Sequence, residues 1–128
     1  MKKSVIAAVL AASTLTGVVI AQQAGFTRVP IQTLDNTSIP GRVVVQARAE
    51  FDSGIAVGRH THPGEEVSYL LEGQLELRVD GQPPKIIKAG EGFSIPAGVI
   101  HDATSMGKTK VLATYIVEKG KPVATPAK

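Results

Sequence analysis

The sequence predicts an all-β domain of the sandwich or barrel type, and three observations carry that prediction. Short apolar runs recur with turn signals about every eight to twelve residues. Several of the runs alternate apolar and polar residues, which puts one row of side chains on each face of a strand. No window beyond the N-terminal segment shows helical periodicity. A chain of 128 residues is one domain. Hydrophobic residues make up 43% of it, aromatics only 4%, and Trp is absent, so the core must be built from Val, Ile, Leu and Ala.

The first residues read as an export signal. Lys2-Lys3 give a positive start, Ser4 to Ile20 are uncharged and mostly apolar, and Val19-Ile20-Ala21 precede a cleavage point. The expectation is a signal peptide over residues 1–21, a mature domain over 22–128 and a periplasmic or secreted product. An uncleaved membrane anchor is the alternative, since the run is close to spanning length. The polar Gln22-Gln23 that follow favour cleavage and no stable membrane insertion afterwards. Loss of Lys2 and Lys3 takes the formal charge from +3 to +1. That leaves no basic patch to suggest nucleic acid. Lys119, Lys121 and Lys128 lie among Pro and Ala and read as a solvated end. With no cysteine, the chain has neither disulfides nor thiolate chemistry.

Taken in order, Phe26–Leu34 reads as a leading strand that Pro30 confines to an edge. Turn-rich DNTSIPG follows, and then a strand over Arg42–Phe51. Val45, Ala47, Ala49 and Phe51 alternate there with Gln46, Arg48 and Glu50. Asp52-Ser53-Gly54 turns into a segment over Ile55–His62. Glu66–Glu72 and the strictly alternating Gln74–Asp80 come next, and Asp80-Gly81 signals a hairpin. Gln82–Ala89, Gly90–Pro96, His101–Ser105 and Val111–Glu118 complete about eight strands. Gly107-Lys108-Thr109 resembles the end of a phosphate-binding loop, but Asp102 stands where its leading glycine belongs.

The chemistry concentrates in GIAVGRHTHPGEEVSYLLEG, Gly54 to Gly73. In an extended segment His60 and His62 point the same way. Pro63-Gly64 breaks the strand, and Glu66 can return to that face from the next one. Two imidazoles and a carboxylate so presented begin a transition-metal site. The third and last histidine, His101, follows another Pro-Gly turn, Pro96 to Gly98. The bland alternative is two exposed loop histidines and one core imidazole. Glu65 competes with Glu66 as a ligand on chemistry alone.

These two segments resemble the two cupin motifs. The pattern G-x5-H-x-H-x3-E-x6-G falls on Gly54, His60, His62, Glu66 and Gly73. The pattern G-x5-P-x-G-x2-H-x3-N falls on Gly90, Pro96, Gly98 and His101, with Ser105 where the family has Asn. The resemblance covers Gly54–Ser105 and favours Glu66 over Glu65. It implies a jelly-roll β-barrel in which His60, His62, Glu66 and His101 hold one divalent transition metal, in this family usually Mn, Fe or Ni, with Zn or Cu left open by the compartment. It also implies a metal-dependent small-molecule enzyme of the dioxygenase or decarboxylase sort. The second reading is a non-catalytic metal- or ligand-binding or sensor module, and an isomerase or epimerase is a weaker third.

A catalytic version needs an acid or base beyond the ligands. Arg48 and Tyr115 are the candidates, with Gln46, Glu50 and Ser68 behind them. Arg48 is singled out as a cation able to hold a substrate carboxylate bidentately. Small cupins often pair through a sheet, so a homodimer joined at the Phe26–Leu34 edge is the expected assembly. Export in the unfolded state would load the metal outside the cytoplasm, where the Irving–Williams order favours copper and zinc.

Overall fold

A computed structural model describes residues 23–128. The proposed signal peptide and the membrane-anchor alternative fall outside the described residues. The strands are β1 (Phe26–Asp35), β2 (Arg42–Phe51), β3 (His60–Thr61), β4 (Gly64–Glu72), β5 (Gln74–Val79), β6 (Lys85–Lys88), β7 (Gly92–Ile95), β8 (His101–Ser105), β9 (Thr109–Glu118) and β10 (Thr125–Pro126). No helix occurs among the described residues. Two five-stranded sheets form, in the orders β1-β2-β9-β4-β7 and β10-β3-β8-β5-β6. Every pairing is antiparallel. The two sheets pack as a sandwich, as the turn spacing predicts, and it is of the jelly-roll type that the family resemblance implies.

Alternation decides what lies between the sheets. Ala47, Ala49 and Phe51 of β2 are buried, as are Leu75 and Leu77 of β5 and Val111, Ala113, Tyr115 and Val117 of β9. The intervening positions of β2 and β9 are half-buried on the outer face. Most of these inner residues join Phe26, Leu70, Ile87 and Ile95 in one cluster, while Ala113, Tyr115 and Val117 form a second beside it. The core is thus mostly aliphatic, as the composition requires.

Two stretches depart from the expected strands. Ile55–His62 supplies only the short β3 and an isolated bridge from Ala56 to Thr104. Side chains of β8 hold the rest of the segment as a loop. The Ser105 hydroxyl accepts from the Ile55 N–H (2.9 Å) and donates to the Asp52 carbonyl (2.5 Å). The Asp102 carboxylate accepts from the Gly58 N–H at 2.9 Å. Ser105, where the family pattern has Asn, therefore closes the turn that leads into β3. The second departure is that β4 starts at Gly64 instead of Glu66. A Cβ on Gly64 would overlap the Ile116 carbonyl oxygen of β9, so only glycine lets the strand begin there.

At the edge, β1 loses register between Pro30 and Gln32. A proline without an N–H belongs at such an irregularity.

Candidate metal centre

His60 lies on β3 directly opposite His101 on β8, and His62 follows in the link to β4. Gly98, at φ 73°, makes the turn before β8 in a conformation that favours glycine. Its N–H donates to the His62 carbonyl at 3.0 Å, tying the two histidine segments together. Glu66 comes from the opposite sheet, where it pairs with Tyr115 and Ile95. The carboxylate therefore meets the imidazoles across the interior and not along one strand face.

The three rings stand with centroids 4.2–4.9 Å apart. Their nearest ligand atoms all lie within 4.8 Å of one another. His62, His101 and Glu66 are only 2%, 3% and 6% exposed, so no solvated-loop role remains for them. The Glu66 Oε2 lies 3.0 Å from His62 Nε2 and 3.3 Å from His101 Nε2. The Ser68 hydroxyl donates to the other oxygen, Oε1, at 2.7 Å and fixes the carboxylate plane.

Each imidazole is oriented by a backbone carbonyl. His60 Nδ1 meets Gly58 O at 2.6 Å, His62 Nδ1 meets Val123 O at 2.6 Å, and His101 Nδ1 meets Val99 O at 2.9 Å. A carbonyl can only accept, so Nδ1 carries the proton and Nε2 of a neutral ring is a bare lone pair. His62 Nε2 and His101 Nε2 are buried without a hydrogen bond. Beside them sits a carboxylate oxygen that also only accepts. Lone pairs facing one another in a dry interior require a cation between them, either a ring proton or a metal ion.

The residues fit a metal. Nitrogens about 2.0–2.1 Å from one ion can be at most about 4.2 Å apart. The trio would therefore have to close by no more than about 0.6 Å, which is within side-chain adjustment. The Nδ1–H to carbonyl bonds are the kind that fix the tautomer of ligating histidines.

The electrostatics point the same way. Burial raises the Glu66 carboxyl, but His101, His62 and Ser68 outweigh it and hold the group well below the usual carboxylate range. Burial lowers His60 to about 4; the Gly58 carbonyl opposes that, and the charges of His101, His62 and Arg28 add to it. A neutral His60 and an ionised Glu66 are the ligand forms a metal needs. Burial first and then Glu66 push the Tyr115 phenol well above its ordinary range, with Arg28 opposing. Tyr115 thus keeps its proton and can donate it as a hydrogen bond. Its ring packs against His62 at 4.7 Å between centroids.

The other candidates separate. Tyr115 lines the cavity beside the histidines. Arg48 does not, which corrects the expectation that the polar row of β2 supplies a pocket residue. With Ala47, Ala49 and Phe51 turned inward, Arg48 must point out, where its Nε pairs with Glu50 at 2.7 Å. Gln46 is on the same outer row, hydrogen-bonded to Gln32 at 3.0 Å. The residue that sequence reasoning missed is Arg28. It follows Phe26 by two on β1, opposite Ala49, and lines the cavity with His60, Glu66 and His101. The signal was there: a cation two residues from an inward phenylalanine shares its face.

The C-terminal end also departs from expectation. Its lysines are exposed, but its backbone is docked. Thr125 and Pro126 pair with Thr61 and His60, the Ala127 N–H donates to Arg59 O at 2.9 Å, and Val123 supplies the carbonyl that orients His62.

Fold and site together define a small two-sheet β-domain with a buried cluster of three histidines and a carboxylate. The chain belongs to the cupin family: the family model described as "Cupin domain" matches residues 47–126. Among curated proteins it is 29% identical over 79 residues to the HTH-type transcriptional regulator PuuR of Escherichia coli (strain K12), covering 59% of this chain and 42% of that protein. The chain thus spans less than half the length of that relative. Among solved structures, a cupin superfamily protein from Desulfitobacterium hafniense superposes with a TM-score of 0.64 at 18% identity, covering 81% of this chain and 88% of that one. The DMSP lyase DddQ from Ruegeria pomeroyi superposes with a TM-score of 0.68 at 17% identity, covering 80% of this chain and 52% of that one. At these identities the structural likenesses establish the fold alone.

Proposed function

We propose that this chain is a metal-dependent small-molecule enzyme of the dioxygenase or decarboxylase sort, with His60, His62, Glu66 and His101 holding one divalent transition metal. The observation that carries the reading is the pair of buried Nε2 atoms, without hydrogen-bond partners, facing Glu66 Oε2 at 3.0 and 3.3 Å while each ring's Nδ1 is taken by a backbone carbonyl. An ion held by these four residues would supply Lewis acidity toward an oxyanion or enolate of the substrate. The chain's own groups do the rest. Ser68 holds the carboxylate, the backbone carbonyls hold the rings, the mostly apolar lining surrounds the site, and Tyr115 offers a protonated donor at the cavity wall.

A protein named as a lyase shares this fold, so the fold can host an enzyme. Likeness to a protein named as a transcriptional regulator favours a second reading, a module that binds a ligand without turning it over. The partner we assign in either case is a small molecule and not nucleic acid. A turnover screen separates the two readings. Metal-loaded protein is offered small enolic and carboxylic acids while oxygen consumption and carbon dioxide release are followed, with His101→Ala as control. Turnover lost in the control supports the enzyme; inactivity across the set favours the binding module.

The proposal places the protein in the cell envelope, with residues 1–21 removed on export and Gln22 as the first mature residue. It includes a homodimer, supported by the exposed Ile31 and Leu34 on the edge strand β1.

A further inference from the structure

The metal reading leaves one charged group of the cavity unused. Arg28 extends from the inner row of β1 into a space bounded by His60, Glu66, His101 and Tyr115. Its guanidinium carbon lies 5.4 Å from the Phe26 ring centroid and 5.9 Å from that of Tyr115. Those two faces fix where the charge sits. Hydrogen bonding to the Tyr115 side chain engages the guanidinium as well, but one N–H is left over. Arg28 Nε is buried without a hydrogen-bond partner. No salt bridge reaches Arg28 among the described residues. Glu66 is already committed to Ser68 and the histidines. Arg48, by contrast, has its carboxylate.

Arg28 as a whole is half-buried, so the cost falls on Nε, a buried N–H without an acceptor. The space in which an acceptor can reach it is the cavity Arg28 lines, which measures about 30 Å³. A single water needs about 10–15 Å³ on that measure, so the enclosed part takes a carboxylate and the more open space around it takes the rest of a short ligand. A carboxylate is also what the planar guanidinium fork matches, with two oxygens for two N–H groups. The surrounding wall is largely apolar, which strengthens a charge-assisted bond made inside it.

We propose that the cavity is an anion subsite for a small aliphatic carboxylate, with Arg28 gripping one end and the histidine-lined wall facing the other. Tyr115, packed on His62 and near the guanidinium, donates from the side. This names the substrate class for the proposed metal site and rests on that reading for the second contact. The Arg28 contact stands independently of it.

Calorimetric titration tests the assignment. Malonate, acetate and neutral acetamide are titrated into wild type, Arg28→Gln and Arg28→Lys, each metal-loaded and metal-free, with metal content and thermal unfolding measured for every sample. Malonate should bind wild type and weaken about 10- to 100-fold in Arg28→Gln. Arg28→Lys should fall between them, since lysine keeps the charge and loses the fork. Acetamide should give no signal, and metal content should be equal in all three proteins. Arg28→Lys carries the comparison if Arg28→Gln unfolds. Equal malonate affinity in wild type and both variants overturns the subsite, as does acetamide binding as tightly as acetate. Wild type that takes up no metal but still binds malonate through Arg28 overturns the metal reading and leaves the subsite standing.

Discussion

The carbonyl that orients His62 comes from the far end of the chain, and removing that end tests what the tail contributes to the site. Ending the protein after Pro122 deletes Val123, whose carbonyl lies 2.6 Å from His62 Nδ1. It also deletes the pairing of Thr125 and Pro126 with Thr61 and His60. His62 is 2% exposed, so its N–H would be left in a site that water reaches poorly. An unsatisfied buried donor costs about 1–3 kcal/mol. Loss of the acceptor behind a ligating histidine typically lowers metal affinity by about 10- to 100-fold. Competition against a chromophoric chelator with zinc or cobalt should show a loss of that size in the truncated protein. Removing only Lys128, which is exposed, should leave affinity unchanged. A truncated protein that melts like wild type and binds metal equally well would refute the claim that the tail holds the ring.

Two further outcomes follow from burial and close packing. In metal-free protein, burial sets His60 at about 4 in the folded state against an ordinary 6.5. The unfolded chain then takes up a proton that the folded one refuses, so this contribution is complete above pH 6.5 and is lost as pH falls toward 4. The loss reaches about 3 kcal/mol; urea unfolding of metal-free wild type between pH 7 and 4 should show it, and His60→Gln should flatten the curve. Gly64→Ala should destabilise the domain by about 3 kcal/mol or more, because the clash is with β9 backbone and no side chain can move aside. Thermal unfolding that matches wild type would show that β4 can shift where the structure says it cannot.

The parts of this molecule legible in the sequence are those written as periodicity. Strict alternation in Gln74–Asp80 and Val45–Phe51 announced strands and their buried faces, and the structure puts Leu75, Leu77, Ala47, Ala49 and Phe51 inside. The histidine spacing announced a cluster, and His60, His62 and His101 meet. What alternation does not encode is which sheet a strand joins. Glu66 was readable as a partner of the histidines, but its approach from the opposite sheet depends on Gly64 fitting against β9. Arg48 was named and Arg28 overlooked for a related reason. Both arginines sit at alternating positions, and only the inward turn of Ala47, Ala49 and Phe51 on one strand and of Phe26 on the other sorts them. The docked C-terminus was illegible because its contribution to the site is a backbone carbonyl, which any residue could supply.

The central claim is that the three histidines and Glu66 hold a transition metal, and elemental analysis of purified protein tests it most directly. The account predicts one divalent transition ion per chain in wild type, with occupancy falling steeply in His60→Ala, His62→Ala and His101→Ala while each stays folded. Wild type without stoichiometric metal, or full occupancy in all three variants, would contradict it.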